Sequence, residues 1–207
     1  GVAREVLEET GLQVEPGDVV VVKGKTVVPE EKKVYLAFNK PRGIVCTAEK
    51  REKNNVIDYL SYPVRIYPVG RLDKDSEGLL LMTNDGAIVN GIMRARNRHE
   101  KEYQVEVNKE TTPEFLKKMA SGVPILDTVT RPCRIQKTGE RSFTIILTQG
   151  LNRQIRRMCE ALGYRVTKLK RVRIMNIHLK DLKTGEYRPL TEKELAELKK
   201  QIGEEKR

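Results

Sequence analysis

Tryptophan is absent and aromatic residues make up only 5% of the 207-residue chain, so ring stacking cannot be the main way this protein holds a ligand. Cysteine is scarce. The three residues, Cys46, Cys133 and Cys159, form no CxxC pair, and their odd number excludes a closed disulfide framework. Histidine is scarcer still: His99 and His178 are the only two, with no cysteine at ligand spacing from either, which argues against a zinc site. No apolar run approaches the roughly 20 residues that a membrane helix needs. The N-terminal stretch has neither the apolar core nor the basic start of a secretion signal, so the sequence reads as a cytoplasmic protein. Acid is in deficit as well. Against 40 Lys+Arg stand 29 Asp+Glu, a net charge of +11, which draws the chain toward polyanions and above all nucleic acid.

What is present is a mixture of short strands and helices. Residues 1–30 differ from the rest, with Val14–Val28 reading as strand, Pro16-Gly17-Asp18 turn, strand, Lys23-Gly24-Lys25 turn and strand. Thirty residues cannot bury a core of their own. Charged 30–33 then reads as a linker. From Val34 onward, apolar strands are expected at 34–39, 66–69, 79–83, 103–107, 143–148, 173–179 and 187–190. Helices are expected at 87–94, after Thr111-Thr112-Pro113-Glu114, at 152–162, and after Thr191-Glu192-Lys193-Glu194. Thr111 and Glu114 have the spacing of a capping box. This mixture predicts an α+β fold with a mixed, mostly antiparallel sheet and a central cleft.

The densest polar cluster, Arg71-Leu72-Asp73-Lys74-Asp75-Ser76-Glu77-Gly78, lies between two apolar strands. It fits a solvated connection rich in turn formers. A calcium loop fits poorly: its twelfth position would be Asn84, which cannot give a bidentate carboxylate. The remaining reading is a catalytic carboxylate, for an aspartate that stays ionised and fixed can act as a nucleophile. A helical wheel over 152–162 places Ile155, Met158, Cys159 and Leu162 on one apolar stripe. Arg156 falls at its edge, where a buried stem could carry a guanidinium into a cleft beside Asp73, while Arg153 and Arg157 point away. Residues 151–173 hold eight basic residues against Glu160 alone, and Arg94, Arg96, Arg98 and Lys101 form a second basic stretch. Two such runs favour contact with a phosphate backbone.

Gly70–Leu80 resembles the central motif of pseudouridine synthases of the RsuA/RluB/RluE/RluF family. Asn39-Lys40-Pro41-Arg42-Gly43, Lys101-Glu102-Tyr103 and Gly150–Met158 extend the resemblance in order, over roughly Val34 to Leu190. His99–Tyr103, Gly122–Leu126 and Arg173–Asn176 most resemble the RluF branch, whose substrate is 23S rRNA near the peptidyl-transferase centre. The resemblance implies a catalytic domain over 34–207 that isomerises uridine to pseudouridine without cofactor or metal, as a monomer by default. It makes Asp73 the essential carboxylate, Tyr103 the aromatic packed on the uracil, and Arg156 the cation paired with Asp73. Arg71 would fill the space left when the uridine is flipped out. Further RNA contacts are expected from Lys40, Arg42, Lys74, Arg153, Arg157, Lys170 and Arg171. Family members usually begin with an S4 RNA-binding domain, and Val14-Glu15-Pro16-Gly17-Asp18 resembles only its C-terminal part, so 1–30 reads as its remnant. The same chemistry on 16S rRNA or tRNA, and a non-catalytic ribosome-assembly factor on the same fold, remain as alternatives.

Overall fold

A computed structural model describes residues 32–94 and 98–204, with the backbone of 20–22 and 25–27. The chain divides into two compact units, Gly1–Lys33 and Val34–Arg207. In the first, β1 (Val20–Val22) and β2 (Lys25–Val27) form an antiparallel hairpin with Val20 opposite Val27. The Val14–Asp18 segment behind the S4 reading lies outside the described residues.

The second unit is built on a nine-stranded sheet. Its elements run β3 (Tyr35–Lys40), α1 (Val56–Leu60), β4 (Tyr67–Val69), β5 (Glu77–Thr83), α2 (Gly86–Arg94), β6 (Lys101–Val107) and α3 (Pro113–Ser121). There follow β7 (Pro124–Ile125), β8 (Thr128–Val129), β9 (Arg134–Gly139), β10 (Ser142–Leu147), α4 (Gln154–Ala161), β11 (Val166–Ile174), β12 (Ile177–His178), β13 (Tyr187–Pro189) and α5 (Glu192–Glu204). The main strand order is β13-β3-β5-β11-β6-β10-β9, with β4 on β5 and β12 on β11. Among the described strands the pairing is antiparallel except between β5 and β11, where Lys170 faces Glu77 and Arg171 faces Gly78 in parallel; outside the strands, Val45 and Asn55 form an isolated parallel bridge. The fold is α+β with a mixed, mostly antiparallel sheet.

Strand periodicity distributes the core. Along β10, Phe143, Ile145 and Leu147 alternate inward, as a half-buried strand requires. β5 is apolar on both faces. Its Leu79 and Leu81 join Ala37, Ile88, Ile92 and Leu198 in one cluster, while Leu80 and Met82 join Leu36, Phe38, Val56 and Leu60 in another. A third cluster gathers Val105, Phe115, Phe143, Met158 and Leu169 in the other half of the sheet. The seam between the halves is therefore the short parallel contact of β5 with β11.

Several local expectations shift. Thr112, not Thr111, caps α3: its Oγ1 accepts from Phe115 N at 3.1 Å and Pro113 opens the helix, whereas the Thr111 hydroxyl donates to Glu140 O. At α5 the capping box forms as spaced, with Glu194 N donating to Thr191 Oγ1 and Thr191 N donating to Glu194 Oε1. The strand expected at 173–179 begins instead at Val166. Lys168, Lys170 and Arg173 stay outside while Leu169, Arg171 and Ile174 turn inward, so a strand lies inside what reads as a basic run. α1 and β9 have no counterpart in the sequence reading. α1 spans five residues and rests on an Asn55 cap to Asp58 N rather than on any long apolar stripe.

Candidate active site

The loop between β4 and β5 opens onto a cleft of about 440 Å³ at the β5–β11 seam. Arg71, Leu72, Asp73 and Ser76 line one side, Tyr103 and Lys101 of β6 another, and Gly150 to Ile155 a third. Ile92, Met93, Ile174 and Met175 complete an apolar wall. A cleft of this size with an apolar lining and a few polar groups suits a small flat ligand such as a base.

Local sequence explains the loop. Gly70 enters at φ +74° and Gly78 leaves at φ +108°, conformations that glycine adopts without a Cβ penalty. Ser76 N donates to Asp73 O, closing the turn, and Lys74 O accepts from Gly43 N. Leu72 is buried, and its N–H points at Cys46 Sγ, 3.4 Å away. Asp73 is thus presented from a pinned neighbour while its own side chain stays 38% exposed.

The cations fall differently from the helical wheel. Arg156 is buried as its border position suggests, but it does not pair with Asp73. Its Nη2 donates to Asp75 O at 3.0 Å and to Ser76 Oγ at 3.2 Å, and its Nη1 lies 3.5 Å from Asp75 Oδ2. The cation against Asp73 is Arg153, with Nη1 3.6 Å from Oδ2. The wheel puts Arg153 on the far side of a helix starting at 152, yet α4 starts at Gln154, and Arg153 is its N-cap with left-handed backbone (φ 49°, ψ 38°). That conformation takes Arg153 off the wheel and aims it at the loop. There it forks onto Asp75, Nη1 to Oδ1 at 3.0 Å and Nη2 to Oδ2 at 2.8 Å. The Arg153 hydrogen bonds, with Arg156 nearby, hold the Asp75 carboxyl down at about 2. Burial pushes the Arg156 guanidinium down, with Asp75 resisting.

Two residues expected on RNA lie inside. Lys40 is fully buried, and its ammonium donates to Pro41 O at 2.9 Å and Ile44 O at 2.7 Å. Burial lowers its pKa, while Cys46, Asp73, Asp75 and Glu77 pull the other way, so its charge supports the acidic loop from beneath. Arg171 is 6% exposed and reaches the cleft from behind. Its Nε donates to Leu79 O at 2.8 Å and its Nη1 to Arg71 O at 3.4 Å. Period-two alternation in β11 turns it inward with Leu169. Arg71, Lys74 and Arg42 are exposed, Lys170 is half-buried, and Arg157 folds back onto Asn152 O and Oδ1.

Asp75, Ser76 and Gln154 escaped the sequence reading as site residues. Gln154 is buried, accepts from Leu151 N at 3.1 Å and donates to Gln149 Oε1 at 3.3 Å, fixing the turn that carries Arg153. A glutamine beside an apolar helical stripe was the available signal. Among the described residues, no group of three or more His, Cys, Asp and Glu converges as a metal site.

Residues 34–161 match the family described as RNA pseudouridylate synthase. The chain belongs to the RNA pseudouridylate synthase family. It is 53% identical over 194 residues to the dual-specificity RNA pseudouridine synthase RluF of Escherichia coli K12, covering 93% of this chain and 67% of that protein. It is 36% identical over 203 residues to the ribosomal large subunit pseudouridine synthase B of Bacillus subtilis, covering 94% and 83%. A pseudouridylate synthase crystal structure, 28% identical, superposes with a TM-score of 0.76 over 90% of this chain and 83% of the other. The enzyme is therefore a pseudouridine synthase of the RsuA/RluB/RluE/RluF group, an isomerase acting on RNA. No helix among its described residues is long and apolar enough to cross a membrane.

Proposed function

We propose that this pseudouridine synthase isomerises a uridine of 23S rRNA in the peptidyl-transferase region, in the cytoplasm, with Asp73 as its essential carboxylate. The observation that carries the reading is the shared cleft: Asp73, Tyr103 and Arg71 line one cavity in a chain 53% identical to RluF. Asp73 attacks the flipped nucleotide at the ribose or the base, and the N1–C1′ bond breaks. The base turns within the pocket, C5 bonds to C1′, the C5 proton leaves, N1 takes one up, and Asp73 is released. Tyr103 packs on the detached uracil against the apolar wall, so that the base is retained through the turn. Arg71, exposed at the rim, occupies the gap in the RNA stack. Arg156 secures the loop through Asp75 O and Ser76 Oγ. Arg42, Lys74, Arg153, Arg157 and Lys170 supply backbone contacts whose strength falls with salt.

The term dual-specificity in the relative's name favours a second RNA substrate, from 16S rRNA or tRNA. The experiment is tritium release from [5-³H]uridine-labelled 23S rRNA lacking the modification, with pseudouridine mapping in total RNA. Asp73→Asn should abolish release while leaving RNA affinity within about threefold. Full release by Asp73→Asn removes Asp73 from the reaction. An Asp73-dependent complex with 5-fluorouridine RNA supports catalysis; salt-sensitive binding without it supports a non-catalytic binder.

A further inference from the structure

The strings His99–Tyr103 and Arg173–Asn176, far apart in sequence, meet at one wall of the cleft, where Ile174 pairs with Lys101 at the end of the β6–β11 ladder. Beyond that pair the chain reverses at once. β11 ends at Ile174, β12 starts opposite it at Ile177, and Met175 and Asn176 alone make the turn. Met175 has φ +55°, a backbone conformation that two-residue turns give to glycine or asparagine. Methionine is strained there, and such strain persists only where the surroundings over-determine it. Here they do. Met175 N donates to Glu100 O at 2.9 Å, and Met175 O accepts from Arg173 Nη1 at 2.9 Å. Arg173 is fixed in turn, its Nη2 donating to Glu100 Oε2 at 3.0 Å, so the two groups that hold Met175 also hold each other.

The clamp presents the Met175 side chain to the cleft, where it is buried and completes the apolar wall with Ile92, Met93 and Ile174. Glycine would make this turn without strain, so the turn alone does not account for a methionine. A thioether chain fills an irregular gap and packs well against a planar ring. We propose that Met175 is a contact for the uracil ring, backing the base in the cleft and holding it where C5 can reach C1′. The inference rests on the cleft being the uracil site with Asp73 as its reactive carboxylate. Met175 forms no bond to the reacting atoms and moves no proton; it limits where the detached ring can lie. Its loss therefore falls on the rate of the chemical step and not on RNA affinity, which the exposed cations supply.

The test is single-turnover tritium release from saturating tritium-labelled 23S rRNA lacking the modification, on the full chain, with RNA affinity and melting temperature measured alongside. Met175→Gly removes the side chain and gives the turn a residue that its backbone favours. It is expected to slow release about tenfold with affinity within about threefold. Met175→Leu, apolar and close in volume, should stay within about threefold of the wild-type rate. Met175→Ala keeps the strain and loses the wall, so it should be as slow as Met175→Gly and melt no higher, the reverse of the order expected where φ is negative. Release by Met175→Gly or Met175→Ala within about twofold of wild type overturns the proposal. So does an affinity loss that matches the rate loss, which is what a purely structural Met175 would give. A Met175→Gly protein that melts below Met175→Ala also overturns it, because the turn would then favour a side chain for its own sake. Asp73→Asn runs in parallel. An active Asp73→Asn refutes the reading on which the inference rests, whereas an inactive one beside a fully active Met175→Gly refutes only the Met175 contact.

Discussion

Adding one methyl group at Gly78 should damage both stability and chemistry, and the structure sets the scale. Gly78 ends the Asp73 loop at φ +108°, where a Cβ would lie 2.2 Å from Arg171 O and 2.7 Å from Arg171 N. Alanine in such a backbone conformation costs about 1–2 kcal/mol. The clash adds to that, for real Cβ atoms essentially never come within 3.0 Å of such neighbours, so the β5–β11 backbones must part by about 0.8 Å. Overpacking of this kind costs about 1–3 kcal/mol, giving about 2–5 kcal/mol in all for Gly78→Ala. For a unit of this length each kcal/mol lowers the melting temperature by about 2–4 °C, so a fall of about 10 °C is expected. The displaced strand carries the Leu79 O acceptor of Arg171 and the loop before it carries the Arg71 O acceptor, and a misplacement near 1 Å can cost about a hundredfold in rate. Differential scanning calorimetry and single-turnover tritium release measure the two effects. Gly86→Ala is the control, since nothing lies within 4 Å of its Cβ position and its φ is not positive. If Gly78→Ala melts within about 1 °C of wild type and turns over normally, the β5–β11 seam does not hold the loop rigidly.

Glu194 tests an ion pair remote from the cleft. Arg188 and the Thr191 cap hold its carboxyl at about 2, so its charged form stabilises the fold above the ordinary carboxylate range. That contribution is lost as pH falls from about 4 toward 2. Glu194→Gln should lower the melting temperature by about 4–8 °C at pH 7, consistent with about 2 kcal/mol, and the gap to wild type should close on acidification in urea titrations. A gap that is constant from pH 7 to pH 2 refutes the assignment. Burial pushes the Cys159 thiol up to about 12 and the Cys133 thiol up to about 11. Iodoacetamide at pH 7.5 should therefore label Cys159 only on unfolding, as peptide mass spectrometry would show; rapid native labelling would contradict its burial.

The parts legible in the sequence are those where local pattern and tertiary environment agree. Alternation of Phe143, Ile145 and Leu147 gave β10, the 155–158–159 stripe gave the buried face of α4, and Gly70–Gly78 gave the loop. The rest depends on distant partners. β11 reads as a basic run because its identity as a strand comes from pairing with β6 and β5, not from its own composition. Lys40 is buried because Pro41 O and Ile44 O and an acidic loop surround its ammonium, none of which a charge count registers. The exchange of Arg156 for Arg153 beside Asp73 turns on one left-handed residue, and a helical wheel has no place for it.

The two-residue parallel seam also sets an order of assembly. Glu77 and Gly78 meet Lys170 and Arg171 across 93 positions of chain, a loop whose closure costs about 4 kcal/mol of entropy before any contact repays it. Hairpin-like neighbours such as β9 with β10 close far shorter loops and form sooner. During synthesis at about 5–20 residues per second, the Asp73 loop emerges about 5–20 s before the strand that backs it. Arg153, Arg156 and Arg171 all belong to that later portion, so the acidic loop waits with Lys40 but without its three arginines. The cleft is thus complete only when the most distant strand pairing in its walls has closed, and a ribosome-bound intermediate short of residue 171 would carry Asp73 but not the cleft around it.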